Sequence, residues 1–168
     1  VGAHIAPLSP GAFEPAMRVI VGSGSVRPPR VAGTMPRRHG ALALSDLACR
    51  IASVHVHPIK SLAGVSPSEA LLIETGLEFD RAWMVVDADG EFVTQRELPR
   101  LALVTPKLRA SDVVLRAPGM LALHLQLDAV EAPCRVRVWD DSVAAFDMGD
   151  LAAQWFSDFL ARPVRLAR

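Results

Sequence analysis

The stretch HPIKSLAGV, residues 57–65, holds one of only two lysines in a 168-residue chain that carries sixteen arginines. Lys60 is followed by a hydroxyl residue, Ser61, and by a loop containing Gly64. A lysine ammonium offers three donors on a long arm, a serine adds a hydroxyl, and a Gly-containing loop exposes backbone amides. That set suits a phosphate or another small anion. A second cation strengthens the reading, and DRAW, residues 80–83, supplies Arg81 at the start of an apolar run. An arginine entering a buried strand must be paired or face a ligand, and Asp80 is the local partner that would pair it. Arg96 and Arg100, in TQRELPRLAL, are the next cations. They could line the same rim, or be solvated or paired with Glu97.

Other chemistries have less to stand on. His55 and His57 lie two apart on one strand face, a spacing that can bind a metal, but no third ligand is near in sequence. They read as surface or hydrogen-bonded histidines, and no metal site is assigned. Cys134 falls on the apolar face of an alternating run, which makes it a buried, inert thiol. A Cys134–His124 nucleophilic pair is the alternative, with nothing in the sequence to position it. Walker, GxGxxG, GxSxG and HExxH patterns are all absent, so no catalytic residue is assigned.

The elements that would position these residues follow from periodicity. IASVHVH (51–57) alternates, with Ala52, Val54 and Val56 on one face, and predicts a half-buried strand. ALLI (70–73) predicts a short strand, and AWMVVD (82–87) a central one that turns at DADG and returns as EFVTQ. LALVTPKLRA (101–110) predicts a strand broken or bulged near Pro106. VVLR (113–116) and MLALHLQL (120–127) form a hairpin about Pro118-Gly119, while CRVRVW (134–139) and SVAAFD (142–147) are further strands. One helix is expected over 151–161, capped by Asp150, with Leu151, Trp155 and Phe159 in its apolar stripe and Pro163 as its stop. PVRLAR then starts another strand. The fold class predicted is mainly β: an antiparallel barrel or curled sheet with one C-terminal helix.

Composition divides the chain. Residues 1–45 carry five arginines, one acid, six prolines and six glycines, for a net charge of +4; residues 46–168 carry −4. The domains expected are therefore a disordered Pro/Gly/Arg-rich extension over 1–46 and a folded domain over 47–168. The extension shares the basic, acid-poor character of transit peptides. The simpler expectation is an overlong N-terminus, with Met17 or Met35 as the natural start. The zero net charge gives no global pointer to nucleic acid. No apolar run reaches the roughly 18–20 residues of a membrane span. Two cysteines make no disulfide framework; they suit a reducing compartment, here expected to be the cytoplasm, or simply core packing.

The blocks PIKS, GLEFDRAWMVVD and QRELPRLAL, in this order, resemble the N-terminal β-barrel domain that precedes the MOSC domain, the C-terminal domain of molybdenum cofactor sulfurases. Mitochondrial amidoxime-reducing components and bacterial YcbX-like proteins share this domain pair. The likeness runs from about Ala48 to the chain end, and VWDDSVAAFDMGDLAAQWFSDFL is similar to the family as well. The resemblance implies that the molybdenum cofactor (molybdopterin) lies between the two domains. By motif position Lys60, Ser61 and Arg81 would hold its pterin and phosphate, with Arg96 and Arg100 as weaker candidates.

The resemblance also implies that the cysteine ligating molybdenum belongs to the MOSC domain, and neither Cys49 nor Cys134 falls at a matching place. Leu62 stands where relatives often have cysteine. The chain is accordingly expected to be a cofactor-binding half of an oxidoreductase or sulfur carrier, not catalytic alone. Its partner would be a MOSC domain in cis or in trans, with ferredoxin-like or reductase electron donors in the full system. The alternative is a cofactor-free barrel serving as an interaction or structural domain.

Overall fold

In the computed structural model, the structure describes residues 17–20, 51–129 and 131–168. Three antiparallel sheets and one helix make up this part. The first sheet is β1 (Met17–Ile20), β2 (Glu69–Ile73) and β3 (Gly76–Leu77), in that order. The β1 strand lies inside the stretch expected to be disordered. Its register places Met17 opposite Leu72 and Ile20 opposite Glu69. Its Val-Ile pair favours extended backbone, and β2 offers an open edge to bond it. The rest of the expected extension lies outside the described residues.

The second sheet has the order β4 (Met84–Val86), β10 (Arg165–Ala167), β9 (Asp141–Asp147) and β8 (Ala132–Val138). Its two edges are β4 and β8, and one segment bonds both. Val93 N–H donates to the Val85 carbonyl at 2.9 Å, Phe92 N–H to Arg137 at 3.2 Å, and Arg137 N–H back to Gly90 at 2.8 Å. The sheet therefore curls strongly, as the fold class predicted. Gly90 makes the curl possible: its φ is +78°, and a Cβ there would stand 3.0 Å from the Arg135 carbonyl oxygen. The third sheet is a meander of β5 (Thr105–Leu108), β6 (Asp112–Arg116) and β7 (Leu123–Gln126).

Most of the strand expectations hold, with three corrections. Residues 51–57 form no ladder. Val54 and Val56 are buried as the alternation requires, but Ala52 is exposed, and Val56 makes a single bridge to Val65. Pro58, which lacks an N–H, ends that pairing before it can extend. Residues Pro99–Leu103 wind into a 3-10 turn, because Pro99 suits the first helical position. Pro106 then sits inside β5 without a break, since β5 is an edge strand whose outer N–H positions need no partner.

The helix α1 spans Asp150–Leu160 and buries Ala152, Trp155, Phe156, Phe159 and Leu160. The first of these fall at the 3–4 spacing of one face. Two details differ from expectation. Leu151 is 74% exposed; helical side chains tilt toward the N-terminus, so a first-turn leucine reaches past the surface it would cover. Asp150 is not the cap. Gly149 occupies that position at φ 88°, and its N–H donates to Asp147 Oδ1 at 2.7 Å. The helix stops at Ala161, a left-handed residue whose N–H reaches the Ser157 carbonyl, two residues ahead of Pro163.

The core runs from Ile59, Leu62 and Trp83 through Val93, Leu101 and Leu115 to Phe156, Phe159 and Leu166. Trp83 is fully buried and stacks on Phe79 with centroids 6.2 Å apart, while the Arg168 guanidinium lies 5.1 Å over its ring. Among the described residues no helix is long and apolar enough to cross a membrane.

Two predictions follow from this architecture. Gly90→Ala forces a left-handed alanine against the β8 backbone. It should lower the unfolding free energy by roughly 1–3 kcal/mol, read by urea denaturation. Asp147 is held below the ordinary carboxylate range by hydrogen bonds from Arg165, helped by Gly149 N–H and opposed by burial. A depressed folded-state pKa contributes stability that is complete above the unfolded value of about 3.9 and is lost as pH falls through the folded value. Asp147→Asn should therefore be less stable at pH 7, and its stability should fall less than wild type's on acidification below about pH 4.

Candidate functional site

The opening motif and the DRAW segment meet through backbone. Arg81 N–H donates to the His57 carbonyl at 2.7 Å, Trp83 N–H to Pro58 at 3.1 Å, and Lys60 N–H to Trp83 at 2.8 Å. Ile59 and Trp83 form a parallel bridge, and both side chains are fully buried. The Asp80 carboxylate adds a bond from His57 N–H at 2.8 Å. Two apolar anchors thus pin the chain, and the residues beside them, Lys60, Ser61 and Arg81, are turned outward at one rim.

There they line a cavity of about 350 Å³. Arg96 completes a set of three cations around it; Thr94, Gln95 and Ser61 add neutral donors, and Phe92 and Trp139 give aromatic walls. Among the described residues no carboxylate lines it. Arg100 is elsewhere: its guanidinium sits 4.6 Å over the Phe159 ring, against the helix. The structure therefore brings Lys60, Ser61, Arg81 and Arg96 together and leaves Arg100 apart.

The local electrostatics are specific. Burial pushes the Lys60 ammonium below the usual lysine range, and the neighbouring Arg81 charge pushes the same way. The ammonium rests 4.0 Å from the Phe92 ring centroid and 5.7 Å from that of Trp139. Ring faces partly compensate a cation that has lost water. Arg81 does not enter a buried strand; it stays on the turn, its side chain 61% exposed, and donates to Asp80. One carboxylate leaves most of the five guanidinium N–H donors free.

The backbone is strained at this rim. Among the described residues five non-glycine positions have left-handed φ, and three of them line the cavity: Ser61 at 68°, Arg81 at 55° and Trp139 at 58°. Each costs roughly 1–2 kcal/mol relative to ordinary backbone. Strain of this kind persists where surrounding structure over-determines it, and it clusters at binding sites.

The histidine and cysteine candidates are placed as well. His55 is spanned by two hydroxyls, Ser53 at 3.0 Å and Ser66 at 2.9 Å. Among the described residues no group of three metal-ligating side chains assembles. His124 Nδ1 lies 2.8 Å from the Asp112 carboxylate. The Cys134 thiol is pushed up by burial and by Asp147, with Arg165 pulling weakly the other way. That shift disfavours the thiolate a nucleophile needs.

Sequence reasoning missed the aromatic walls. The available signal was the two-residue connection Trp139–Asp140 between paired β8 and β9. Turns of that length favour glycine, asparagine or aspartate first, so a tryptophan there is anomalous.

Curled antiparallel sheets closed over one core, with a single late helix, define a barrel-type β-domain. Residues 48–163 match the MOSC N-terminal beta barrel domain, and the chain belongs to that family. Rat mitochondrial amidoxime reducing component 2 is 37% identical over 116 residues, 66% of this chain and 34% of that protein. Human molybdenum cofactor sulfurase is 32% identical over 123 residues, 70% of this chain and 14% of that protein. The solution structure of a Bordetella bronchiseptica protein is 33% identical and covers 57% of this chain and 82% of its own, with a TM-score of 0.47. The chain thus spans about a third of one curated relative and about a seventh of the other.

The Lys60 environment can be tested directly, because Lys60 and Lys107 are the two lysines. NMR titration of the lysine side-chain resonances should show Lys60 deprotonating below the ordinary lysine value of about 10.4. Arg81→Gln should move Lys60 part of the way back up. Saturating inorganic phosphate should raise it further, since a bound anion favours the charged form.

Proposed function

We propose that this domain supplies the phosphate-gripping half of a molybdenum cofactor site. One observation carries the reading: Lys60, Ser61 and Arg81 converge on one cavity that, among the described residues, no carboxylate lines. The donor set fits the group. A pterin phosphate needs charge-assisted donors, and Lys60 offers a partly desolvated ammonium, Arg81 a forked guanidinium, and Ser61 a hydroxyl. Arg96 adds charge at the same rim.

When bound, the cofactor would supply oxygen-atom or sulfur transfer at its metal. This chain's residues would bind and orient it. Lys60 would leave the aromatic faces for the phosphate, regaining the stabilisation its ammonium loses by burial. Arg81 would span the phosphate and Asp80, fixing the direction of approach. The thiolate for the metal would come from a MOSC domain, in cis or in trans, because Cys134 is outside the cavity and its thiol is held protonated. On this reading the domain alone does not turn over substrate. In the complete system, which we place in the cytoplasm, electrons would arrive from a ferredoxin-like or reductase partner.

One observation favours the second reading, a cofactor-free interaction domain: Arg81 already has Asp80, and Lys60 already has Phe92. Anaerobic titration with molybdopterin separates the two. Lys60→Ala should weaken binding about tenfold or more, the worth of one charge-assisted hydrogen bond, while Arg100→Ala should leave it unchanged. Affinity should also fall as pH rises through the lowered Lys60 pKa. No binding by the wild-type chain, or equal binding by wild type and Lys60→Ala, would favour the interaction domain.

A further inference from the structure

Trp139 is an odd residue for its position. It is the first residue of the two-residue turn joining β8 to β9, with φ 58°, a conformation that glycine takes freely and tryptophan does not. Its side chain is not rewarded by burial, since the residue is 67% exposed. The other two tryptophans, Trp83 and Trp155, are buried in the core. Trp139 touches Phe92 in a tilted edge-to-face pair with centroids 4.9 Å apart, and the Phe92 ring carries the Lys60 ammonium 4.0 Å above it. Strained backbone, an open indole and a cation therefore meet at one cavity.

We propose that Trp139 is a ring-stacking platform that makes this cavity selective for a phosphate ester of a planar heterocycle over a bare phosphate. The inference rests on the anion-binding reading of the same site and adds the chemistry of what the anion is attached to. An exposed indole face is worth little against water but stacks on a flat π-system. Lys60 and Arg81 fix the phosphate end, and Trp139, on the opposite strand connection, sets where the ring must lie. The turn's conformation aims the indole, which is why a residue so ill-suited to the backbone can stand there.

The test uses the full chain and two phosphomonoesters alike in charge, hydroxymethylpterin phosphate and glycerol phosphate. Binding is followed by calorimetry and by tryptophan fluorescence. Wild type should bind the pterin ester about tenfold tighter than glycerol phosphate, as one stacked base contributes. The pterin ester alone should quench the exposed indole. Trp139→Ser should bring the affinity ratio close to one, chiefly by weakening the pterin ester. Trp139→Phe, which keeps a ring, should restore most of the ratio and certifies that the turn still folds. Lys60→Ala should weaken both esters alike. An unchanged ratio in Trp139→Ser, or a wild-type ratio near one, overturns the stacking role while leaving the anion site intact. If neither ester binds, or if Lys60→Ala binds both as well as wild type does, the anion site itself is wrong, and the stacking role falls with it.

Discussion

The site depends on one piece of backbone pairing. The segment 57–60 is bonded to 81–83, with Ile59 and Trp83 side by side in the core. Two like charges, Lys60 and Arg81, would not choose to be neighbours. They are neighbours because the residues between and beside them are apolar and must be buried. Hydrophobic burial of two large side chains outweighs the repulsion of two partly solvated cations, which water and Asp80 both reduce. The fold thus keeps two cations beside one cavity and carries the electrostatic cost itself.

That arrangement also explains why the cavity is ringed by awkward backbone. Ser61, Arg81 and Trp139 all sit at φ values glycine would accept more readily. The curled sheet supplies the rigidity that makes this tolerable, since Gly90–Val93 is bonded to β4 on one side and β8 on the other.

Much of this was readable from residue types. The Lys-Ser pair, the arginine of DRAW and the alternating strands gave the right fold class and put three cofactor candidates at one rim. What resisted reading had physical causes. The 51–57 alternation fixed which side chains are buried but not whether a ladder forms, because burial needs a neighbour and a ladder needs an N–H on both sides of Pro58. Arg100 and Arg96 look equivalent in TQRELPRLAL; a 3-10 turn starting at Pro99 rotates one of them onto the helix. Asp150 has the chemistry of a helix cap, but Gly149 can adopt the entry conformation that Asp150 cannot adopt cheaply. Phe92 and Trp139 are far apart in sequence, and only the curl of the sheet makes them touch.

The strand β10 lies between β4 and β9, with Arg165 opposite Val86 and Ala167 opposite both Met84 and Asp147. A strand from late in the chain is therefore the middle of the sheet, flanked by one made long before it. Until it inserts, β4 has no continuous partner, and the segment carrying Lys60 is tied to an unfinished edge. Long-range closure of this type is slow compared with the local meander of β5–β7. During synthesis the cavity beside Lys60 and Arg81 would be among the last parts to take shape, complete only in an essentially finished domain.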